Sequence, residues 1–322
     1  MLRLVPVLLM AAAVLLGSTS LAQAQDMPTV SIGSFDKPSF GHTTASLIEA
    51  NDFDKKHGID IQWAFKKPRA ANTDFATGRD KVTIASALLS EANRRLKGVK
   101  SVYLFNVLNG HGALLTMDPA INSIADLEGK SLGAVTVTTN YAMFRYFAQK
   151  AGVDLGKVDV QSTSTAGLAT LLMAKRADAV HFWEPNYSKM LVSNPGKLKM
   201  IEYFHQWQAI QGAPQRGFLG IAAHEDWIAG NKALIPKIYK AFEELAKWLP
   251  THHDEAATII EKAAGVPKEA FRMALATARY PLDVVPAAEI ETNIKALFQA
   301  GIDSGYMKQM PDDGIIYRGK VR

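Results

Sequence analysis

One segment limits the possible folds of this chain more than any other, and it spans Thr165–Pro185. Its first part has leucines at helical spacing followed by a basic pair, which predicts a short helix. Ala179–Phe182 follows as a short apolar strand, and Trp183 and Glu184 come directly after it. Open α/β sheets bind ligands at the carboxyl ends of their strands. We therefore expect Trp183 and Glu184 at the mouth of a crevice.

Apolar strands alternate with amphipathic helices along the whole chain from Thr29, which predicts an α/β fold with largely parallel sheets. Further strands are predicted at residues 29–33, 59–65, 81–85, 99–107, 112–117, 131–137, 158–161, 198–203 and 217–222. Further helices are predicted from the loop at 38–41 to residue 56 and at 69–77, 86–96, 139–151, 232–248, 254–264, 267–279 and 287–302.

The strands Gly112–Met117 and Gly217–Ala222 are predicted to cross between two parts of the molecule. A mature chain of about 300 residues is at the limit for a single hydrophobic core, so two lobes are expected. We predict lobe I at residues 25–114 plus 217–322 and lobe II at residues 115–216. Each lobe is expected to contain a mostly parallel sheet flanked by helices.

The amino terminus has the pattern of a secretory signal peptide, predicted at residues 1–24. Arg3 precedes the apolar run Leu4–Leu16, and Ala22-Gln23-Ala24 provides a small-residue cleavage site. The alternative, a membrane anchor, is disfavoured because the run is too short for about 30 Å of hydrocarbon. We expect cleavage after Ala24 and export to the bacterial periplasm.

Composition excludes several classes of chemistry. The chain has no cysteine, so disulfides, thiolate nucleophiles and cysteine metal sites are excluded. The net charge of +5 becomes +4 without residues 1–24, whose one charge is Arg3, and interspersed charges do not suggest nucleic-acid binding. No P-loop or HExxH pattern occurs. The segment His252-His253-Asp254 is interpreted as a solvated helix start. We expect no catalysis, cofactor or metal.

Three strand-to-helix turns carry candidate ligand-binding residues. The first amides of a helix lack intrahelical partners, and the helix dipole adds partial positive charge, so anions bind there. The candidates are Ser34, Phe35, Ser39, Phe40 and His42 in the first turn, Ser86 in the second, and Thr138, Thr139 and Asn140 in the third. Phe40 can instead be a core residue, and Ser86 can be a plain N-cap.

The end of the strand in the segment 165–185 supplies three more candidates, His181, Trp183 and Glu184. Strand alternation places His181 and Trp183 on one face and Phe182 on the other, in the core. Glu184 would repel a bare anion and attract an ammonium or ring N–H. Alternatively, it pairs with a basic residue and holds a hinge.

The segment before the first crossing strand is a candidate hinge. Gly110 and Gly112 lie there and suit a segment that changes its backbone angles. Asn109 is a further candidate ligand contact in the same turn.

Three segments together resemble one family. They are Asp52–Ile61, Ile124–Lys130 and Gly167–Pro185, and they occur in order at similar spacing. On these residues the chain resembles the periplasmic ABC-transporter substrate-binding proteins of the nitrate, sulfonate, taurine and thiamine-pyrimidine class, over nearly the whole mature chain. The resemblance implies a monomeric type II periplasmic binding protein fold with two hinge strands. It also implies closure on a small solute and delivery to an ABC permease in the inner membrane.

The resemblance implies that the turn 136–140 holds the polar head of the solute, but it leaves the solute open. Aromatic residues near the expected cleft favour something larger than nitrate, so small sulfonates or taurine come first, nitrate-like anions second and pyrimidines third. Two alternatives remain. One is an enzyme resembling the pyrimidine synthase of this fold, which depends on a cysteine-rich motif that this chain lacks. The other is a periplasmic sensor or partner protein that kept the fold without transport.

Overall fold

The structure, a computed structural model, describes residues 27–84 and 87–322. The predicted signal peptide and Ser86 lie outside the described residues. The strands are β1 (Thr29–Phe35), β2 (Asp60–Lys66), β3 (Val82–Thr83), β4 (Ser101–Leu108), β5 (Ala113–Thr116), β6 (Ser131–Ala134), β7 (Asp159–Ser162), β8 (Ala179–Phe182), β9 (Lys199–Glu202), β10 (Leu219–His224) and β11 (Leu282–Pro286).

The α-helices follow in the same ranges. They are α1 (Phe40–Ala50), α2 (Phe53–Lys56), α3 (Pro68–Ala76), α4 (Leu88–Leu96), α5 (Thr139–Lys150), α6 (Thr165–Met173), α7 (Asn186–Ser193), α8 (Gln206–Gln211), α9 (Glu225–Asn231), α10 (Ile235–Trp248), α11 (His253–Ala264), α12 (Lys268–Ala276) and α13 (Glu291–Asp303). Short 3₁₀ helices span Ile124–Leu127, Leu155–Lys157, Leu249–Thr251, Ala287–Ile290 and Asp313–Ile315. None of these described helices has the length and apolar character needed to cross a membrane.

The strands form two sheets, which confirms the predicted α/β class. One sheet has six strands in the order β11-β4-β10-β3-β1-β2, and the other has five in the order β7-β6-β8-β5-β9. We call the six-stranded sheet with α1–α4 and α9–α13 the first half. The five-stranded sheet with α5–α8 is the second half.

Both sheets are mixed, so the prediction of mostly parallel sheets was wrong. β1 is parallel to β2 and β3, and β6 is parallel to β7 and β8. β5 and β10 are antiparallel to both of their neighbours, and β11 is antiparallel to β4. Parallel neighbours require a long crossover connection. β5 and β10 instead enter their sheets directly from the other half.

The predicted crossing strands are themselves interior strands of single sheets. β5 lies in the five-stranded sheet and β10 in the six-stranded sheet. The chain therefore passes between the halves in the segments 109–112 and 203–218, which join β4 to β5 and β9 to β10. The predicted lobe boundaries stay a prediction.

Apolar side chains form three buried clusters, and one of them is shared by both halves. The first cluster lies between the six-stranded sheet and α1, α10, α11 and α12. The third lies in the second half and includes Phe182, as predicted from strand alternation. The shared cluster contains Leu88 and Leu297 from the first half together with Phe144 and Trp207 from the second. The two halves are thus joined by packing as well as by the chain.

Local sequence signals account for several element boundaries. β8 has the predicted bounds, and Ser123 forms a capping box with Asp126 at the start of the 3₁₀ helix Ile124–Leu127. The predicted first helix is interrupted, because Asp52 adopts a left-handed conformation with φ of 51° between α1 and α2. α4 has Ala87 at its N-cap position, so its helix begins two residues later than predicted.

Candidate functional site

The start of α1 is one polar end of the candidate site. The Ser39 hydroxyl caps the helix, accepting from the His42 N–H at 3.1 Å and donating to the Phe35 carbonyl at 2.9 Å. Within the described residues, the N–H groups of Phe40 and Gly41 have no hydrogen-bond partner. These two amides are the free donors expected at a helix start.

The start of α5 is the corresponding end in the second half. The Thr138 hydroxyl accepts from the Tyr141 N–H at 3.2 Å and donates to the Val135 carbonyl at 2.9 Å. This hydroxyl is therefore used as a helix cap. Among the residues that the structure describes, the N–H groups of Thr139 and Asn140 have no partner, nor does the buried Asn140 Oδ1. The backbone of this turn, more than the Thr138 side chain, is available to a ligand.

Neighbouring aromatic rings connect Trp183 to α5. Its ring centroid is 6.1 Å from that of His181, which is 6.2 Å from that of Tyr141 on α5. Trp183 is partly exposed, whereas His181 is fully buried. The His181 Nε2 is hydrogen-bonded to the Tyr203 Oη at 2.5 Å. Burial, with a further contribution from His111, lowers the pKa of His181 to about 3, so this imidazole is neutral.

Glu184 is buried, not exposed at the mouth of a crevice, with a relative exposure of 2%. Its Oε1 accepts from the Ser188 hydroxyl and its Oε2 accepts from the Ser188 N–H at 3.4 Å, so the carboxyl caps α7. Burial raises the pKa of Glu184 to about 7, with hydrogen bonds from Ser188 and the charge of Arg279 opposing the shift. No carboxylate–cation contact within 4.0 Å is found for Glu184 in the described part of the chain.

Tyr280, which was not predicted as a site residue, connects this region to α1. Its Oη lies 2.6 Å from the Thr43 Oγ1 and 3.2 Å from the Thr44 Oγ1, and its ring centroid is 5.4 Å from that of Phe40. Burial raises the pKa of Tyr280, and the nearby charge of Glu184 adds to the shift. Glu184 of the second half and α1 of the first half are therefore neighbours of one tyrosine.

Ser34 and His42 of the first predicted turn pack into the first half. The His42 ring packs on Phe65 at 4.3 Å, and its Nε2 lies 3.4 Å from the Ala263 carbonyl oxygen. Its pKa is lowered chiefly by burial. Ser34 is fully buried and its hydroxyl donates to the Phe35 carbonyl. The contacts of both side chains lie inside the first half. Those of His42 are with β2 and α11.

Asn109 belongs to a hydrogen-bond network between the crossing segments, so the prediction of a ligand contact is not supported by its bonds. Its Oδ1 accepts from the Asn106 Nδ2 at 3.1 Å and the Gly217 N–H at 3.2 Å. Its Nδ2 donates to the Asp283 Oδ2 at 3.1 Å. Arg216 adds a bidentate ion pair to Asp283, with distances of 2.7 and 2.6 Å. These bonds occupy the amide and tie both crossings to β11.

The two glycines of the predicted hinge are needed for close packing. A Cβ at Gly110 would lie 2.2 Å from a Phe204 ring carbon, and one at Gly112 would lie 2.5 Å from the Tyr203 Oη. Neither glycine has a positive φ. Their small size, not their backbone freedom, explains their presence in this structure.

Two further groups of contacts join the halves. The Thr139 Oγ1 lies 3.1 Å from the Ser90 Oγ, where α5 packs on α4 and α13. On another side α7 packs on α12. The candidate residues form two groups, the start of α1 in the first half and the start of α5 with Trp183 in the second.

The segment His252–Asp254 lies in a separate surface groove of about 710 Å³, together with part of α12. His252 stacks on Trp248 with a centroid distance of 4.6 Å, and Asp254 pairs with Arg272 at 2.6 Å. No group of three or more His, Asp or Glu side chains suited to a metal ion occurs within the described residues.

Two α/β halves joined by two crossing segments define the periplasmic binding protein fold. The profile of the NMT1/THI5 like family matches residues 39–256, and the chain belongs to that family. The sequence has no significant match among curated proteins.

Solved structures resemble the whole chain. The periplasmic aliphatic sulphonate binding protein SsuA from Escherichia coli has a TM-score of 0.75 and 15% identity, covering 91% of this chain and 92% of that one. The alkanesulfonate-binding protein SsuA from Xanthomonas axonopodis pv. citri, bound to MOPS, gives 0.73 and 14%, covering 90% and 98%. The periplasmic nitrate-binding protein NrtA from Synechocystis PCC 6803 gives 0.67 and 13%, covering 88% and 83%. At these identities the likeness establishes the fold.

Proposed function

We propose that this protein is the periplasmic solute-binding component of an ABC importer and acts without catalysis. It captures a small organic anion or zwitterion between its two halves and delivers it to a permease in the inner membrane. The observation that carries this proposal is the pair of helix starts with free amides, one in each half, beside a partly exposed tryptophan. The family and the binding proteins of the same fold support it.

The chemistry of the site favours a solute with both a polar head and an organic part. The free amides of Thr139 and Asn140 suit an oxyanion without any basic side chain. The Trp183 ring suits an apolar or cationic group. Glu184, next along the chain, is buried as the cap of α7 and is not counted among the solute contacts. We therefore place sulfonates and taurine first, nitrate-like anions second and pyrimidines third.

The maturation and organisation of the chain are part of the same proposal. Residues 1–24 direct export and are removed, and the mature protein is a periplasmic monomer. Residues 25–114 with 217–322 form one lobe, and residues 115–216 form the other. Solute exchange then requires the two lobes to separate.

A thermal-shift screen of the refolded, ligand-stripped protein tests this function. The panel contains nitrate, bicarbonate, taurine, alkyl and aryl sulfonates, aromatic carboxylates and pyrimidines, and calorimetric titration follows each hit. A solute at 100 times its dissociation constant stabilises the folded state by about 2.7 kcal/mol. If none of these compounds binds, the proposed solute classes are contradicted.

Trp183→Ala is expected to weaken binding of the best compound about ten-fold or more, because the ring loses its contact with the solute. The matched control is Trp227→Ala on α9, a partly buried tryptophan of the first half. Equal affinities of the wild type and Trp183→Ala would exclude Trp183 from the site. The paired change Thr138→Ala/Thr139→Ala is expected to weaken binding as well, because it removes the hydroxyls that hold the start of α5 and its free amides in place, with Thr170→Ala on α6 as its exposed control.

A further inference from the structure

The turn after α12 directs two consecutive side chains toward different halves. α12 ends at Ala276, and Ala278 has a φ of 54°, the left-handed region that disfavours a residue with a Cβ. The Arg279 N–H donates to the Ala274 carbonyl at 2.8 Å and closes the turn. This fixed backbone sets the directions of Arg279 and Tyr280.

Arg279 reaches the second half, whereas Tyr280 is held in the first. The Arg279 Nε donates to the Glu202 Oε1 at 3.1 Å, and its guanidinium lies 6.0 Å from the centroid of the Tyr187 ring. Glu202 ends β9 and Tyr187 is on α7. Tyr280 is anchored through the Thr43 hydroxyl on α1 at 2.6 Å. The two residues together connect α1 to the second half.

The charges around Arg279 favour this contact. Glu202 and Glu184 both belong to the second half, and the positive charge of Arg279 acts on Glu184 as well as on its ion-pair partner. The Arg279 side chain is only 18% exposed, which reduces screening by water, while Glu202 is 49% exposed. One cation of the first half is thus attracted by two carboxyls of the second.

We propose that Arg279 is a positioning residue that holds the two halves in their closed arrangement through Glu202. Because this closure concerns the same cleft, the proposal rests on the proposed function. Arg279 acts through the equilibrium between open and closed forms, without itself touching solute. The apparent affinity for any solute that binds the closed form falls in proportion to the closed fraction.

A distance measurement without solute tests this role. The chain has no cysteine, so Thr73→Cys and Val137→Cys give one exposed spin-labelling site in each half. Double electron–electron resonance then reports the distance between the halves in the ligand-stripped protein. Arg279→Gln is expected to shift the distribution to longer distances, with the closed-to-open ratio reduced about three- to ten-fold. Glu202→Gln, which removes the same ion pair from the other side, is expected to do the same.

Arg272→Gln is the matched control, because this arginine is on α12, just before the turn that holds Arg279, and pairs with Asp254 inside the first half. It should leave the distance distribution as in the wild type. Unchanged distributions in Arg279→Gln and Glu202→Gln would overturn the proposal. If Arg279→Gln does not fold, Glu202→Gln still tests the proposal, because a substitution at the half-exposed Glu202 is expected to leave the fold intact. The measurement needs no solute, so its result is separate from that of the solute panel.

Discussion

At the scale of single residues, Glu184 makes the stability of the fold depend on pH. Burial raises its pKa from the ordinary value of 4.5 to about 7. Between these two pH values the unfolded chain loses the carboxyl proton while the folded chain keeps it. The folded state is therefore destabilised as pH rises through this range, by up to about 3 kcal/mol above pH 7.

Glu184→Gln is expected to remove this decline, because the amide keeps the size of the side chain and does not titrate. Urea unfolding of the ligand-stripped protein at pH 5 and pH 8 gives the two free energies of unfolding. Glu255→Gln, an exposed carboxyl on α11, is the control and should follow the wild type. The same pH dependence in the wild type and Glu184→Gln would show that Glu184 does not titrate in this range.

The sequence was informative about which residues lie near strand ends and uninformative about what they touch. Trp183 and Glu184 follow β8, as their position after a short apolar run predicted. Arg279, whose charge acts on Glu184, comes about 95 residues later, a separation at which no sequence pattern links the two. Thr138 was predicted as a ligand contact, and its hydroxyl caps α5, so the ligand contact stays a prediction. Chemistry at a helix start does not distinguish a cap from a ligand site.

At the scale of elements, β4 depends on one buried side chain. Register irregularities interrupt its pairing with both β10 and β11. The Asn106 Oδ1 accepts from the Tyr103 Oη and the Phe218 N–H, both at 2.9 Å. Its Nδ2 donates to the Asp283 carbonyl at 2.8 Å. The amide thus supplies hydrogen bonds where the strand pairing is irregular.

Asn106→Leu is expected to lower the free energy of unfolding by about 3 kcal/mol, because it leaves several buried polar groups without partners. Urea unfolding at constant pH measures the loss. Asn122→Leu, at an exposed asparagine with a local hydrogen bond to Ala120, is expected to cost much less. Equal losses in the two variants would mean that the hydrogen bonds of Asn106 contribute little.

Elements of strong periodicity were predicted well, and short ones were missed. α10 has apolar residues at helical spacing on one face and lies within its predicted range. β11 was not predicted, because it is a five-residue edge strand that follows Pro281 and ends in Pro286. Prolines read as strand breakers in a sequence, although an edge strand tolerates them. Because β11 was not predicted, Asp283 and its ion pair with Arg216 were not predicted either.

At the scale of the whole molecule, the shared apolar cluster couples the stability of the two halves. Leu297 of the first half and Phe144 of the second belong to the same buried cluster. Unfolding one half would expose the cluster residues of the other to water at a cost of about 25 cal/mol per Å² of apolar surface. We therefore expect a single unfolding transition.

Scanning calorimetry and circular dichroism check this expectation. The calorimetric and van't Hoff enthalpies should agree, and tryptophan fluorescence should give the same midpoint as circular dichroism. Fluorescence follows both halves, since Trp63 and Trp248 lie in the first and Trp183 and Trp207 in the second. Two separated transitions would show that the halves unfold independently.

The same cluster restricts how such a protein can acquire a new specificity. Exchanging one half for that of a relative, to make a chimaera, would cut through a continuous core and leave side chains of unmatched shape on both sides. Grafting the turns that begin α1 and α5 would leave that core intact. Diversification of this scaffold is therefore expected to proceed by changes in strand-end turns, while the two halves are inherited together.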